Sequence, residues 1–237
     1  MLISKKIFVH IPKNAGMTIR HSPFLKDKII VNTAQTHKSR EYTQELLDTM
    51  AITGDHHGIE HARWRDLRPD ITSTFGAFAV VRNPWDRVVS RYFFAKKVIE
   101  VEKKSPASYA DVSSFDAFLE ERHKWGSYPF MWHRAVRGWY PAVDHVTDEQ
   151  GNLRCDMIRF ENLNEDLMAY FNIPTMSRAR NVTALNKGTY MDMYNEKTKQ
   201  IVADWYQKDI EMWGFDFDSG ATKNVWALND KIKEHRF

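Results

Sequence analysis

The chain has little of what would mark it for an oxidising or a membrane environment. Cys155 is its single cysteine among 237 residues, so no disulfide can form within it and a reducing compartment suits it. Its longest apolar stretches, such as 75–81, fall far short of the ~20 residues that cross a bilayer. No signal peptide precedes the first apolar run, because Met1 to Ile11 leads straight into a core strand. These absences predict a cytoplasmic protein and a complete chain. Glycine and proline are sparse too, at 10 and 8 residues, which excludes collagen-like and low-complexity architectures. An excess of one charge is also lacking, since 34 Lys and Arg stand against 31 Asp and Glu, a net charge of +3. That balance suits a small anionic ligand. It excludes a dedicated nucleic-acid binder, which concentrates a basic stripe.

What is present fits one α/β domain over residues 1–237. Lys6-Ile7-Phe8-Val9-His10 reads as a buried strand, and Ile29 to Val31 as a second. Glu41 to Met50 has helical composition. Phe75 to Val81 is apolar throughout, as in a parallel sheet covered on both faces. After it, Asn83 fits an N-cap, Pro84 the first helical position and Asp86 the acidic first turn. The helix they open sets Trp85, Val88, Val89, Tyr92 and Phe93 on one face. Ser113 or Ser114 caps a further helix. Val143 to Val146 and Leu153 to Phe160 read as strands joined by a polar turn, and Glu196 to Trp213 as one last long helix stopped by Gly214. Strands alternating with helices point to a layered α/β fold.

Two segments carry candidate chemistry. The first strand feeds Pro12-Lys13-Asn14-Ala15-Gly16-Met17-Thr18, a glycine-containing turn at a helix start, where free amides favour an anion. Lys13 adds a full charge, Gly16 permits close backbone approach and Thr18 offers a hydroxyl. Pro23 stops the helix early. The Walker A pattern is absent, because lysine precedes the glycine and Met17 stands where the lysine belongs. The second segment is Arg82 at the carboxyl end of the 75–81 strand, where open α/β sheets bind ligands, with Ser90 two turns into the following helix. An arginine fork and a serine hydroxyl suit a phosphate.

Together these segments resemble the carbohydrate-type sulfotransferases, relatives of the Golgi enzymes that sulfate glycans. Phe8 to Thr18 is similar to that family's 5'-phosphosulfate loop, and Phe78 to Tyr92 to its 3'-phosphate segment. Asp156 to Leu163 and Lys208 to Phe217 resemble two further blocks, whereas Tyr92 to Asp144 matches less well. The resemblance implies a P-loop-like three-layer domain, with a central, mostly parallel sheet flanked by helices. It implies 3'-phosphoadenylyl sulfate as donor, a hydroxyl-bearing carbohydrate as acceptor and no required metal. Carried over, Lys13, Asn14, Ala15, Gly16, Met17 and Thr18 would hold the 5'-phosphosulfate, Arg82 and Ser90 the 3'-phosphate, and Lys187 would lie in a loop closing over the nucleotide. The transmembrane anchor of the Golgi members is missing, and Pro23 leaves Arg20 and His21 without an assigned role.

For the base that takes the acceptor's proton, the cluster Asp55-His56-His57 is favoured, because histidine titrates near neutral pH. His56 and His57 are equivalent on sequence, and His61 stays open. Glu60, His123 and His133 are weaker candidates. No histidine or cysteine spacing matches a zinc site. Trp125, Tyr128, Trp132 and Trp139 are available to stack on sugar faces. Two rival readings are an ATP-dependent P-loop kinase and a non-catalytic module that binds a nucleotide or a sulfated glycan. Polysaccharide, glycoside, lipid-linked sugar and protein tyrosine all remain as acceptors, and oligomeric state is open.

Overall fold

The alternating contacts of four short strands explain why the chain layers as it does. The computed structural model describes residues 5–53, 58–101, 110–125, 139–176 and 189–218. Strands β1 (Lys6–Val9), β2 (Ile29–Val31), β3 (Ala77–Val81) and β4 (Asp156–Arg159) pair in parallel in the order β2-β1-β3-β4. In register, Phe8 lies opposite Phe78 and Val9 opposite Ala79. Successive side chains point to opposite faces, and both faces are covered. Ile7, Val9, Ala77, Ala79, Val81 and Met157 pack into one core cluster, Phe8, Phe78, Val80 and Ile158 into another. An apolar strand is therefore apolar twice over.

Helices close both faces. α1 (Gly16–Arg20) and α7 (Leu163–Phe171) cover the second face through Ile19, Leu167 and Phe171. α2 (Arg40–Thr53) and α3 (Pro69–Thr74) lie between β2 and β3 in the chain. α4 (Pro84–Lys96) covers the first face through Trp85, Val88, Val89 and Tyr92, joined by α5 (Phe115–Trp125), α6 (Ala142–Val146), α8 (Glu196–Trp205) and α9 (Gln207–Trp213). The three-layer α/β architecture is as expected. Asn83 does cap α4, its Oδ1 accepting from the amides of Trp85 at 3.0 Å and Asp86 at 3.4 Å. Such a cap contributes about 1 kcal/mol. Ser114, rather than Ser113, caps α5 through the Ala117 amide.

Two elements differ from the sequence expectation. Residues 142–146 are helical, not a strand, because the Asp209 carboxylate accepts from the amides of Ala142 (2.7 Å) and Val143 (2.9 Å) and so starts α6. Only a single bridge, Thr147 to Leu153, retains strand-like pairing there. The last helix is broken at Tyr206, whose backbone sits at φ −110°, ψ 25°. Its fully buried ring sends the hydroxyl to the Arg91 Nη1, 3.4 Å away. Packing of that side chain overrides helical propensity.

Candidate active site

The turn after β1 adopts a conformation that few side chains favour. Lys13 (φ 68°) and Ala15 (φ 61°) are both left-handed, at a cost of about 1–2 kcal/mol each. Alternating handedness makes successive amides converge into an anion-binding nest. The amides of Ala15, Gly16 and Met17 donate to no backbone carbonyl among the described residues. Three anchors hold the turn in place. Arg87 Nε donates to the Pro12 carbonyl (3.2 Å), Arg82 Nη1 to the Lys13 carbonyl (2.9 Å), and Asn14 Nδ2 to the Val80 carbonyl (2.7 Å). Consecutive residues of the turn are thus tied to β3 and α4.

Gly16 has a nearer reason to be glycine than ligand approach. A Cβ there would lie 1.5 Å from His10 Nε2, because the histidine ring rests against the helix start. Thr18 is buried in the first turn of α1, its amide bonded to the Ala15 carbonyl at 3.0 Å.

The Lys13 ammonium is partly buried and sits over the Phe94 ring, 4.3 Å from its centroid. Burial and the charges of Arg82, Arg91 and Lys97 pull its pKa down to about 7. An anion bound beside the ammonium would raise that pKa again. Arg82 is itself well engaged. Its Nε and Nη2 hold Asp86 in a fork at 2.7 and 2.8 Å, and its plane lies 4.0 Å from the Phe160 centroid. The guanidinium is therefore held in a fixed orientation. Beside it, Glu161 accepts the Asn83 amide at 3.0 Å and Asn83 Nδ2 donates to the Asp216 carbonyl at 2.9 Å. Ser90 is buried on α4, one turn beyond Asp86. Segments far apart in sequence thus meet at the carboxyl ends of adjacent strands β1 and β3.

Histidines gather on the other side of the turn. His61 Nδ1 lies 2.8 Å from the His10 carbonyl, and the two rings are 4.2 Å apart. Because a carbonyl only accepts, His61 Nδ1 carries a proton there. His10 is held well below the usual histidine range, first by burial, then by His61, Arg20, His145 and Lys13. Arg20 pairs with Glu60 at 3.2 Å and so ties α1 to the His61 turn, which gives Arg20 the role that sequence left open.

His56, His57 and Lys187 lie outside the described residues, as do Tyr128, Trp132 and His133. Trp139 does not face a sugar. It is 1% exposed, stacked under Arg91 at 4.3 Å and against Phe118. His123 packs edge-on against Trp205, and Glu60 is paired to Arg20. Among the described residues, no group of three or more His, Cys, Asp or Glu side chains is placed to hold a metal ion. Sequence reasoning missed Arg87, Arg91 and Asp209, all almost fully buried. Their only signal was two arginines four apart on a helix whose other face is apolar. His10 was read merely as a strand end.

An α/β sheet with a cationic, amide-lined turn at the carboxyl ends of two adjacent parallel strands is the class of domain that binds an anionic ligand there. The chain matches the sulfotransferase family over residues 5–216, and it belongs to that family. It is accordingly a sulfotransferase enzyme, acting on a hydroxyl-bearing acceptor. No curated protein and no solved structure gives a significant match.

Proposed function

We propose that the protein transfers a sulfuryl group from 3'-phosphoadenylyl sulfate to a carbohydrate hydroxyl, as one cytoplasmic domain spanning 1–237. The observation that carries this reading is the clamp between the two loops, where Arg82 grips the Lys13 carbonyl while both side chains bring positive charge to one place. The turn amides, Lys13 and Arg82 supply donors and positive charge, which fits an anion at each end of a doubly phosphorylated nucleotide. The donor supplies the activated sulfuryl group. Lys13 stabilises the negative charge that develops on the bridging oxygen as that group leaves, a role a compact ammonium suits. The turn amides and Thr18 orient the 5' end, and Arg82 with Ser90 the 3'-phosphate. Lys187 would close over the nucleotide.

The acceptor's proton needs a base, and His61 is the candidate among the described residues, held by its Nδ1 to the His10 carbonyl so that Nε2 would take the proton. His56 and His57 precede it closely in the chain and are the alternatives. The carbohydrate acceptor rests on the family resemblance, and the cytoplasmic address on the lone, buried Cys155.

Calorimetric titration of the full chain with adenosine 3',5'-bisphosphate tests the donor assignment. Binding without Mg2+ is expected, weakened about 30-fold in Arg82→Ala by loss of charge-assisted hydrogen bonds worth about 2 kcal/mol. Preference for ATP with Mg2+ would turn the reading towards a kinase. Binding of neither nucleotide would sink it.

A further inference from the structure

We propose that Arg87 is a positioning residue for sulfuryl transfer, fixing the Pro12 carbonyl from inside the fold and, through it, the place of the Lys13 ammonium. The inference rests on reading the turn as the donor's 5'-phosphosulfate site. Arg87 is 1% exposed. Its Nε reaches Pro12 O, its Nη1 reaches Tyr140 O at 3.0 Å, and Asp209 Oδ2 stands 4.0 Å away. Among the described residues, the buried Arg87 Nη2 has no hydrogen-bond partner. A buried guanidinium with an unsatisfied donor costs free energy, and an apolar side chain would serve stability as well or better. What an apolar side chain could not do is grip a carbonyl at the entrance to a strained turn.

Pro12 comes immediately before Lys13, the first of the two left-handed residues. Relaxing either would swing the Lys13 stem away from Phe94. The tether has a far end as well. Asp209, which faces Arg87, also starts α6 by accepting from Ala142 and Val143. The carboxyl-terminal helices are thereby linked to the donor turn through one side chain. The groups facing Lys13 are Arg82 between β3 and α4, Arg91 of α4, Lys97 just beyond α4, and His10 across the loop. Arg87 keeps the ammonium among these cations, and without it the ammonium would move out towards water.

Competitive acetylation of the full chain, followed by mass spectrometry across pH 6 to 10, reads the titration of Lys13 directly. In the native protein Lys13 is expected to label with a midpoint of about 7. In Arg87→Met, and in Arg87→Met/Asp209→Asn, which leaves no buried carboxylate unpaired, the midpoint should rise by about one unit or more, slowing Lys13 labelling at pH 7 about fivefold. Lys6, Lys28 and Lys199 serve as internal references and should not change. Adenosine 3',5'-bisphosphate should bind these variants about tenfold more weakly, and Arg87→Lys, which can reach one carbonyl, should fall between. A folded double variant with native Lys13 labelling and native bisphosphate affinity would overturn the proposal. Failure of all three variants to fold would make Arg87 a structural residue and overturn it too. Absence of bisphosphate binding by the native protein would instead count against the donor site, with the labelling still deciding the tether.

Discussion

Replacing Lys13 by methionine is expected to slow sulfuryl transfer about 10²–10³-fold, the usual loss when one preorganised group facing a developing anion is removed. The rate is followed as release of adenosine 3',5'-bisphosphate from the donor. The same substitution should remove a pH dependence. In the unliganded protein Lys13 titrates near 7, below its ordinary 10.5, so it is charged below pH 7 and increasingly neutral above. An anion needs the ammonium, so binding at pH 8 draws a proton from solvent, and affinity falls as pH rises through 7, by up to about tenfold per unit. The stability of the free protein runs the other way. Between 7 and 10.5 the unfolded chain holds the extra proton, so this group's contribution to stability rises with pH across that window. Titration at pH 8 in two buffers of different ionisation enthalpy counts the proton. Uptake that persists in Lys13→Met would assign the proton to another group.

Gly16→Ala should lower the melting temperature by roughly 6–12 °C, from about 3 kcal/mol of overpacking. The cause is steric. Gly16 lies within α1, and the Cβ would meet the His10 ring at 1.5, 2.0 and 2.3 Å. His10 has little room to yield, since it is buried between Phe8, stacked at 5.4 Å, and His61. His10→Ala/Gly16→Ala should therefore melt above Gly16→Ala, although each change alone is destabilising. A single alanine that melts like the native protein would mean the ring does not rest there. Scanning calorimetry distinguishes these outcomes.

Much of the fold was legible because its signals are local. The apolar runs at 6–9 and 77–81 and the Asn83-Pro84 start of α4 are each complete within a few residues, and the parallel layers follow from them. Errors arose where a distant group decides. Nothing near Ala142 announces a helix, since its cap is the Asp209 carboxylate, contributed from α9. Nor does the sequence around Trp205 show that Tyr206 must turn inward to meet Arg91. The candidate turn after β1 could be located from its lysine and glycine, but not the left-handed backbone of Lys13 and Ala15, which contradicts the preferences of both residue types. Trp139 was taken for a surface aromatic because an arginine that stacks on it cannot be recognised from spacing. Nothing local to His61 shows that its ring meets the His10 carbonyl, 51 positions away.

The anchors of the turn also bear on the order in which the chain can fold. Pro12, Lys13 and Asn14 are gripped by Arg87, Arg82 and Val80, between 66 and 75 positions later in the sequence. Closing loops of that length costs entropy before any contact repays it, and such pairings form late. During synthesis the amino-terminal residues therefore leave the ribosome long before their clamps do, and the strained backbone has nothing to hold it in the interval. Catalytic competence arrives only after β3 has docked beside β1 and α4 has closed over them, so binding of the nucleotide should appear as the last step of refolding.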